Sequence, residues 1–351
     1  MEKNKIIVLH EYGANEHYVG LSSLAKEHNS SIIYREFSCI RQLISGIIHL
    51  KYSRIKRSIV NFTFLINLML TKNKKIILGM APLDYRILFI SKILKRHHCY
   101  YHTSWPYWNF GQYPKDNFLQ KKIKQYWKKF ILQSEQIFCV TEQAKKSLIE
   151  NKLALENKIS VVYHSYNQNI FYNKEKKCNN KLKLLFVGRL EPEKGIKNIL
   201  EIAETLHDVE LNIIGNGSLS TDVIDAVKNN NNINYIGYLS DKNKLAEYMR
   251  ESHFLLLPSK IRNDGWQELF GMVIIEALAC GCIPISTNHV GPAEILSKYP
   301  YLLLSEDNYT EKASSLISFD LIKKCNDEGL FSIADSFALD EIKEKWKKIY
   351  V

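Results

Sequence analysis

Nowhere in its 351 residues does the chain carry an apolar stretch of the ~20 residues a membrane-spanning helix needs. The nearest, Ile59 to Leu70, is shorter and is interrupted by Asn61, Thr63 and Asn67. The N-terminus lacks the charged, then apolar, then small-residue order of a secretory signal and opens into the strand-like run Ile6 to Leu9, so a cytoplasmic location is expected. Seven cysteines lie mostly in apolar runs, and no second pair or histidine stands at zinc-site spacing from Cys280 and Cys282. That pattern predicts reduced, buried thiols and no metal site. No Asp-x-Asp pair occurs, which removes one common way of holding a divalent ion. The turn after the first strand reads Glu11-Tyr12-Gly13-Ala14-Asn15 where a nicotinamide-dependent dehydrogenase would need Gly-x-Gly-x-x-Gly.

What is present is the composition of a folded protein, with 46% apolar and 24% charged residues over a length that suits two domains. Charge is uneven. Residues 1–175 hold 27 Lys and Arg against 12 Asp and Glu, a difference of +15, and the remainder hold 21 against 25, a difference of −4; together these give the net +11. The basic half is the candidate for meeting something anionic. Asp116 to Gln133 reads as a helix with Leu119, Ile123, Trp127 and Phe130 on one face and Lys121, Lys122, Lys124, Lys128 and Lys129 on the others. A second cluster, Lys51, Arg54, Lys56 and Arg57, precedes an apolar run. Both fit peripheral docking on an anionic membrane; the plainer alternative is an apolar face packed on a sheet beneath solvated lysines. No nucleic-acid partner is expected.

Short β-branched runs alternate with helical stretches: Lys5–Leu9, then Asn15–His28; Lys75–Gly79, then Pro82–Lys95; His98–Tyr101, then the basic helix; Gln136–Val140 and Ile159–Val162 with Glu142–Glu150 between. After a Lys- and Asn-rich linker, Asn173 to Lys183, a second series begins with Lys183–Val187 and Ile196–Leu206 and runs to Phe270–Ala279 and Ile283–Ser286. Repeated βα units predict two doubly wound parallel-sheet domains, 1–175 and 176–337, followed by an amphipathic helix within 338–351 whose stripe is Ile342, Trp346 and Ile349. Ligands of such domains sit outside the carboxyl ends of the strands.

Two such loops carry chemistry. Gly188-Arg189-Leu190-Glu191-Pro192-Glu193-Lys194-Gly195 sets an arginine and a lysine beside a helix N-terminus, the groups that stabilise a diphosphate. Glu268-Leu269-Phe270-Gly271 opens a helix that carries Glu276 inside the apolar run Met272 to Ala279. A carboxylate in that setting either accepts hydrogen bonds from hydroxyls, of which a ribose offers two, or forms an internal ion pair.

In their order and spacing these loops, with Gly215-Asn216-Gly217, Gly237-Tyr238, Pro258-Ser259, Ala279-Cys280-Gly281, Pro284, Gly291 and Glu294, resemble the retaining GT-B glycosyltransferases of family four. The resemblance is close from about Leu184 to Leu296. It implies two Rossmann-like domains facing a cleft, with the terminal helix packed back on the first, and transfer of a hexose-type sugar from a nucleoside-diphosphate sugar to a glycan or lipid-linked acceptor. Bacterial surface polysaccharide, lipopolysaccharide included, is the expected setting. Arg189 and Lys194 would hold the diphosphate, Glu276 the ribose and Glu268 the donor sugar. Gly217, Tyr238, Phe270 and Gly271 would complete the donor site. In the first domain Gly13 would bring a backbone amide to the phosphate, and His102 would lie beside the sugar. No cofactor and no metal are implied. The inserted loop Lys260 to Gln267, with Trp266, either shapes specificity or is an ordinary surface loop. A nucleotide-sugar epimerase of the same architecture is the alternative activity.

Overall fold

The computed structural model describes residues 5–11, 15–109, 118–175, 181–263 and 265–351. It divides into two compact units, one of residues 1–164 with Ile342–Val351 and one of Ser165–Glu341.

The first unit is built on β1 (Lys5–His10), β2 (Ser31–Glu36), β3 (Lys75–Gly79), β4 (His98–Thr103), β5 (Gln136–Cys139) and β6 (Ile159–Val161), ordered β2-β1-β3-β4-β5-β6. Every pairing is parallel. Its helices are α1 (Val19–Glu27), α2 (Cys39–Ile48), α3 (Tyr52–Leu70), α4 (Ile87–Leu94), α5 (Phe118–Gln133) and α6 (Glu142–Glu150). Strand side chains alternate between faces. Ile7, Leu9, Ile76, Leu78 and Tyr101 therefore share one core with Leu65 and Leu68 of α3, Ile90 of α4 and Trp127 of α5. Ile6, Val8, Ile77, Tyr100 and Phe138 face the other way, against Leu21 and Leu24 of α1 and against Ile342, Trp346 and Ile349 from the far end of the chain.

The second unit repeats the plan with β7 (Leu182–Val187), β8 (Val209–Ile214), β9 (Ile233–Gly237), β10 (Phe254–Leu257), β11 (Ile283–Thr287) and the short β12 (Leu303–Leu304), ordered β12-β11-β10-β7-β8-β9. Helices α7 (Ile196–Thr205), α8 (Ser220–Asn229), α9 (Lys242–Glu251), α10 (Met272–Ala279), α11 (Val290–Ile295), α12 (Tyr309–Leu316) and α13 (Phe319–Asp327) accompany them. In each sheet the chain leaves its first strand to one side and later resumes on the other, so a topological switch point lies between β1 and β3 and another between β7 and β10.

Several sequence expectations shift. The first unit ends at His164, before the Lys- and Asn-rich stretch, because residues from Ser165 onward are strapped to the second unit: the Tyr166 amide donates to the Phe337 carbonyl at 3.2 Å and Arg250 donates to the Ile170 carbonyl at 3.0 Å. β2, α2 and α3 are additional elements. The terminal stripe is carried by α14 (Leu339–Lys345) and, after Trp346, by a separate 3-10 turn, Lys347–Ile349. On α5 the residues Ile123, Trp127 and Phe130 are buried in the core while Lys121, Lys122, Lys128 and Lys129 stay exposed, so its apolar face is packed on the sheet. Six cysteines are free and buried, and Cys178 lies outside the described residues.

Trp346 lies with its ring 4.6 Å from Phe138, 5.4 Å from His102 and 5.9 Å from Tyr18. Trp346→Ala is expected to destabilise the first unit by about 3–5 kcal/mol, read as a lower urea midpoint; an unchanged midpoint would contradict this packing role. His102 and His164 are held well below the ordinary histidine range by burial, with the neighbouring His17 adding to the effect, and His17 is itself lowered by burial. The folded unit thus resists protons that the unfolded chain accepts. Stability present above pH ~6.5 should be lost as the pH falls below it, by at most about 1.4 kcal/mol per pH unit for each histidine. Calorimetry from pH 7.5 to 5 should show that slope, and His102→Gln with His164→Gln should flatten it.

Candidate active site

In the second unit the chain leaves β7 into the Gly188–Gly195 loop. The Leu190 amide donates to the Asn216 carbonyl at 3.1 Å, and the Glu191 carboxylate accepts from the Ser218 hydroxyl at 2.6 Å, so the loop is tied to the turn after β8. Those two hydrogen bonds from Ser218, side chain and backbone, hold the Glu191 carboxyl below its ordinary range. The loop ends at Gly195, whose φ is +68° and where a Cβ would come within 2.1 Å of the Pro258 carbonyl oxygen. Only glycine fits there, and it sets the start of α7 against the carboxyl end of β10, at the switch point.

The two cations nominated in this loop are placed differently. Lys194 is 13% exposed in its side chain; its Nζ is 2.6 Å from Glu268 Oε2 and 4.8 Å from the centre of the Trp266 ring. Arg189 is 61% exposed and reaches Glu193 Oε1 at 3.2 Å, an oxygen that also lies 3.5 Å from Arg262 of the inserted loop. Lys194 and Glu268, 74 residues apart, are thus in direct contact, and the insertion touches both cation pairs.

Glu268 is oriented from behind. Its backbone amide donates to His289 Nδ1 at 3.2 Å, which leaves the ring proton on Nε2 for donation to Glu306 at 2.9 Å. On α10 the buried Glu276 receives Lys242 Nζ at 3.2 Å, so an ion pair is present, with the lysine partly exposed and the carboxylate not. Gly271, with φ +91°, caps α10. Phe270 is buried against Phe337 at 5.9 Å and serves packing. The Gly217 amide donates to Asn216 Oδ1 at 2.8 Å, closing its own turn. Tyr238 is exposed beyond the end of β9.

In the first unit His102 is the next-to-last residue of β4 and is buried, with Nδ1 3.0 Å from the Tyr18 hydroxyl. Burial keeps that phenol protonated. A hydroxyl that donates to Nδ1 leaves the ring proton on Nε2, and one that accepts from Nδ1 leaves Nε2 bare; either way Nε2 is a buried atom with no hydrogen-bond partner among the described residues. Gly79, at the end of β3, gives the group its room: a Cβ would come within 2.3 Å of His10 and 2.6 Å of the Tyr18 hydroxyl. Gly13 lies outside the described residues.

Sequence reasoning did not find Glu193, Lys242, His289 or Tyr18. His289 follows β11, so its place past the carboxyl end of a strand was the available signal. Lys242 opens an ordinary polar helix and carried none.

Residues 167–319 match the model of the glycosyl transferases group 1 family. The chain is 31% identical over 223 residues to an uncharacterized glycosyltransferase of Methanocaldococcus jannaschii, covering 62% of this chain and 59% of that protein. It is 24% identical over 239 residues to the capsular polysaccharide biosynthesis glycosyltransferase CapM of Staphylococcus aureus, covering 61% and 60%. Matches of this kind span six tenths or less of the curated relatives' own length. Among solved structures, Anabaena HepE in complex with UDP-glucose has a TM-score of 0.62 at 14% identity, over 99% of this chain and 98% of that one. The chain thus has the GT-B fold, and its residues 167–319 are similar to the glycosyl transferases group 1 family.

Proposed function

We propose that this protein is a retaining glycosyltransferase that moves a hexose-type sugar from a nucleoside-diphosphate sugar to a hydroxyl of a glycan or lipid-linked acceptor, in surface-polysaccharide synthesis and without a divalent metal. The observation that carries the reading is the Lys194–Glu268 contact at the switch point of the second sheet, with Arg189 on the same loop. A cation for the diphosphate and a carboxylate for sugar hydroxyls are thereby held within one hydrogen bond of each other. Further support comes from the relative named for capsular polysaccharide biosynthesis and from the structural neighbour that holds UDP-glucose.

In this reading Arg189 and Lys194 take the diphosphate oxygens, each exchanging its carboxylate partner for a phosphate, and the amide end of α7 adds its dipole. Glu276, with Lys242 on one oxygen, accepts from the ribose hydroxyls. The loop at Gly217 and the exposed Tyr238 flank the nucleotide, and His102 Nε2 donates to a hydroxyl of the sugar. As the bond from the anomeric carbon to the β-phosphate oxygen breaks, negative charge grows on the phosphate, where the two cations stabilise it. The acceptor oxygen bonds to that carbon from the same face, and its proton leaves with the phosphate.

Nucleoside diphosphates are expected to raise the melting temperature. Lys194→Ala and Glu276→Ala should weaken that binding about tenfold or more, the value of a charge-assisted hydrogen bond. Glu268→Ala and His102→Ala should retain the shift while lowering acceptor-dependent release of nucleoside diphosphate about a hundredfold. Wild-type shifts and rates in all four would overturn the reading. Excess EDTA should leave the rate within about twofold, since protein cations stabilise the leaving group; abolished transfer would assign that work to a metal.

A further inference from the structure

Between Glu36 and Asp84 the chain has no acidic residue, while Arg41, Lys51, Arg54, Lys56, Arg57, Lys72, Lys74 and Lys75 all fall in that interval. The same interval forms α2 and α3, and their apolar residues are not confined to the core side. On α3, Leu65 and Leu68 are buried in the first unit, yet Phe62, Ile66 and Met69 form a second, exposed stripe beside them. On α2, Ile40, Ile44 and Ile48 are exposed at a spacing of four, one above the other on the helix. Leu50, in the turn joining the helices, is 91% exposed. These six helix residues line one groove of about 980 Å³ between α2, α3 and α4, whose far wall includes the exposed Tyr85 and Phe89. A contiguous apolar patch of this kind on a folded surface marks an interaction site.

Charge identifies the occupant. Arg54, Lys56 and Arg57 stand in the first two turns of α3, at the positive pole of the helix dipole, with no acid in that turn. Arg54 and Arg57 are also like charges at i,i+3. Both arrangements destabilise a helix, so local stability does not account for them. Lys72 and Lys74 flank the other end. Arg57 lies 4.0 Å from Glu36, and no acid falls between Glu36 and Asp84. An apolar face rimmed by cations at both ends is complementary to a surface that is apolar inside and anionic outside. No helix among the described residues is long and apolar enough to cross a membrane. A second copy docking through the same face would set these cations against their own equivalents.

We propose that the α2–α3 hairpin is a membrane-docking face: it lies in the interface of an anionic bilayer, with Ile40, Ile44, Ile48, Phe62, Ile66 and Met69 facing the acyl region and the flanking lysines and arginines on lipid headgroups. α5, whose apolar side is packed in the core, is not the docking element. The inference is independent of the transfer reaction proposed above.

The test is co-sedimentation of the full chain with phosphatidylcholine vesicles, with and without 30% phosphatidylglycerol, at low and high salt. Binding is expected to the acidic vesicles only and to weaken as salt rises. Ile44→Gln with Ile48→Gln, and separately Arg54→Gln with Lys56→Gln, should each lower partitioning about tenfold. Lys121→Gln with Lys128→Gln on α5 should change it less than threefold. Unaltered melting temperature and nucleoside diphosphate response in each variant exclude misfolding and keep the result separate from the donor site. No binding to acidic vesicles, equal binding to neutral ones, loss confined to the α5 variant, or a dimer abolished by Ile44→Gln with Ile48→Gln would each overturn the proposal.

Discussion

Both units depend on one constraint, that a parallel strand buried on two sides must have both faces covered. Ile6 to Leu9 are all buried, alternate residues going to opposite cores. Parallel pairing permits no tight hairpins, so each connection crosses a face as a helix or a long loop, and all strands run the same way. Their carboxyl ends then share one edge of the sheet. The groups with chemical potential collect there: the Gly188–Gly195 loop after β7, His289 after β11, His102 next to the end of β4 and Gly79 at the end of β3. In the first unit, α1 leaves one face of the sheet partly open, and residues from Ile342 onward complete it. That is why the last residues of the chain belong to its first unit.

The polar residues at these edges are organised by the cost of burying charge. A lysine as enclosed as Lys194 is stable because Glu268 and the Trp266 ring sit against it, and Glu276 is matched by Lys242. Glu268 is in turn held through its backbone by His289 and Glu306. Arg189 and Lys194 therefore rest in ion pairs internal to the second unit, and the loop at 260–267 contributes to both pairs through Trp266 and Arg262. In the first unit Arg86 is likewise paired with Glu11 and Asp84, whereas the cations of α2 and α3 border exposed apolar residues, with Arg57 lying 4.0 Å from Glu36.

Much of this was legible before any coordinates, and particular residues show where legibility stopped. Most strands were found because they are continuous apolar runs. β2 was not, since Ser31–Glu36 is only half-buried along its whole length and includes Arg35 and Glu36. α3 was hidden because exposed apolar residues beside its buried ones blur the helical period. The stripe on α5 was legible, but its destination was not, as an apolar stripe packs equally well against a sheet or a bilayer. At the site, Arg189, Lys194, Glu268 and Glu276 were picked out from their loops, whereas Glu193, Lys242 and His289 were not.

By itself the sequence determined the βα repetition, the two-part division, the apolar face of the terminal segment and the loops that bear charge, because periodicity and spacing along the chain encode local structure. Only the tertiary structure decided the partners. Lys194 meets Glu268 across 74 residues, Lys242 meets Glu276 across 34, and His102 meets Tyr18 across 84. Such pairings follow from which strands lie side by side in the two sheets, and strand order is set by the packing of whole faces, which no local pattern records.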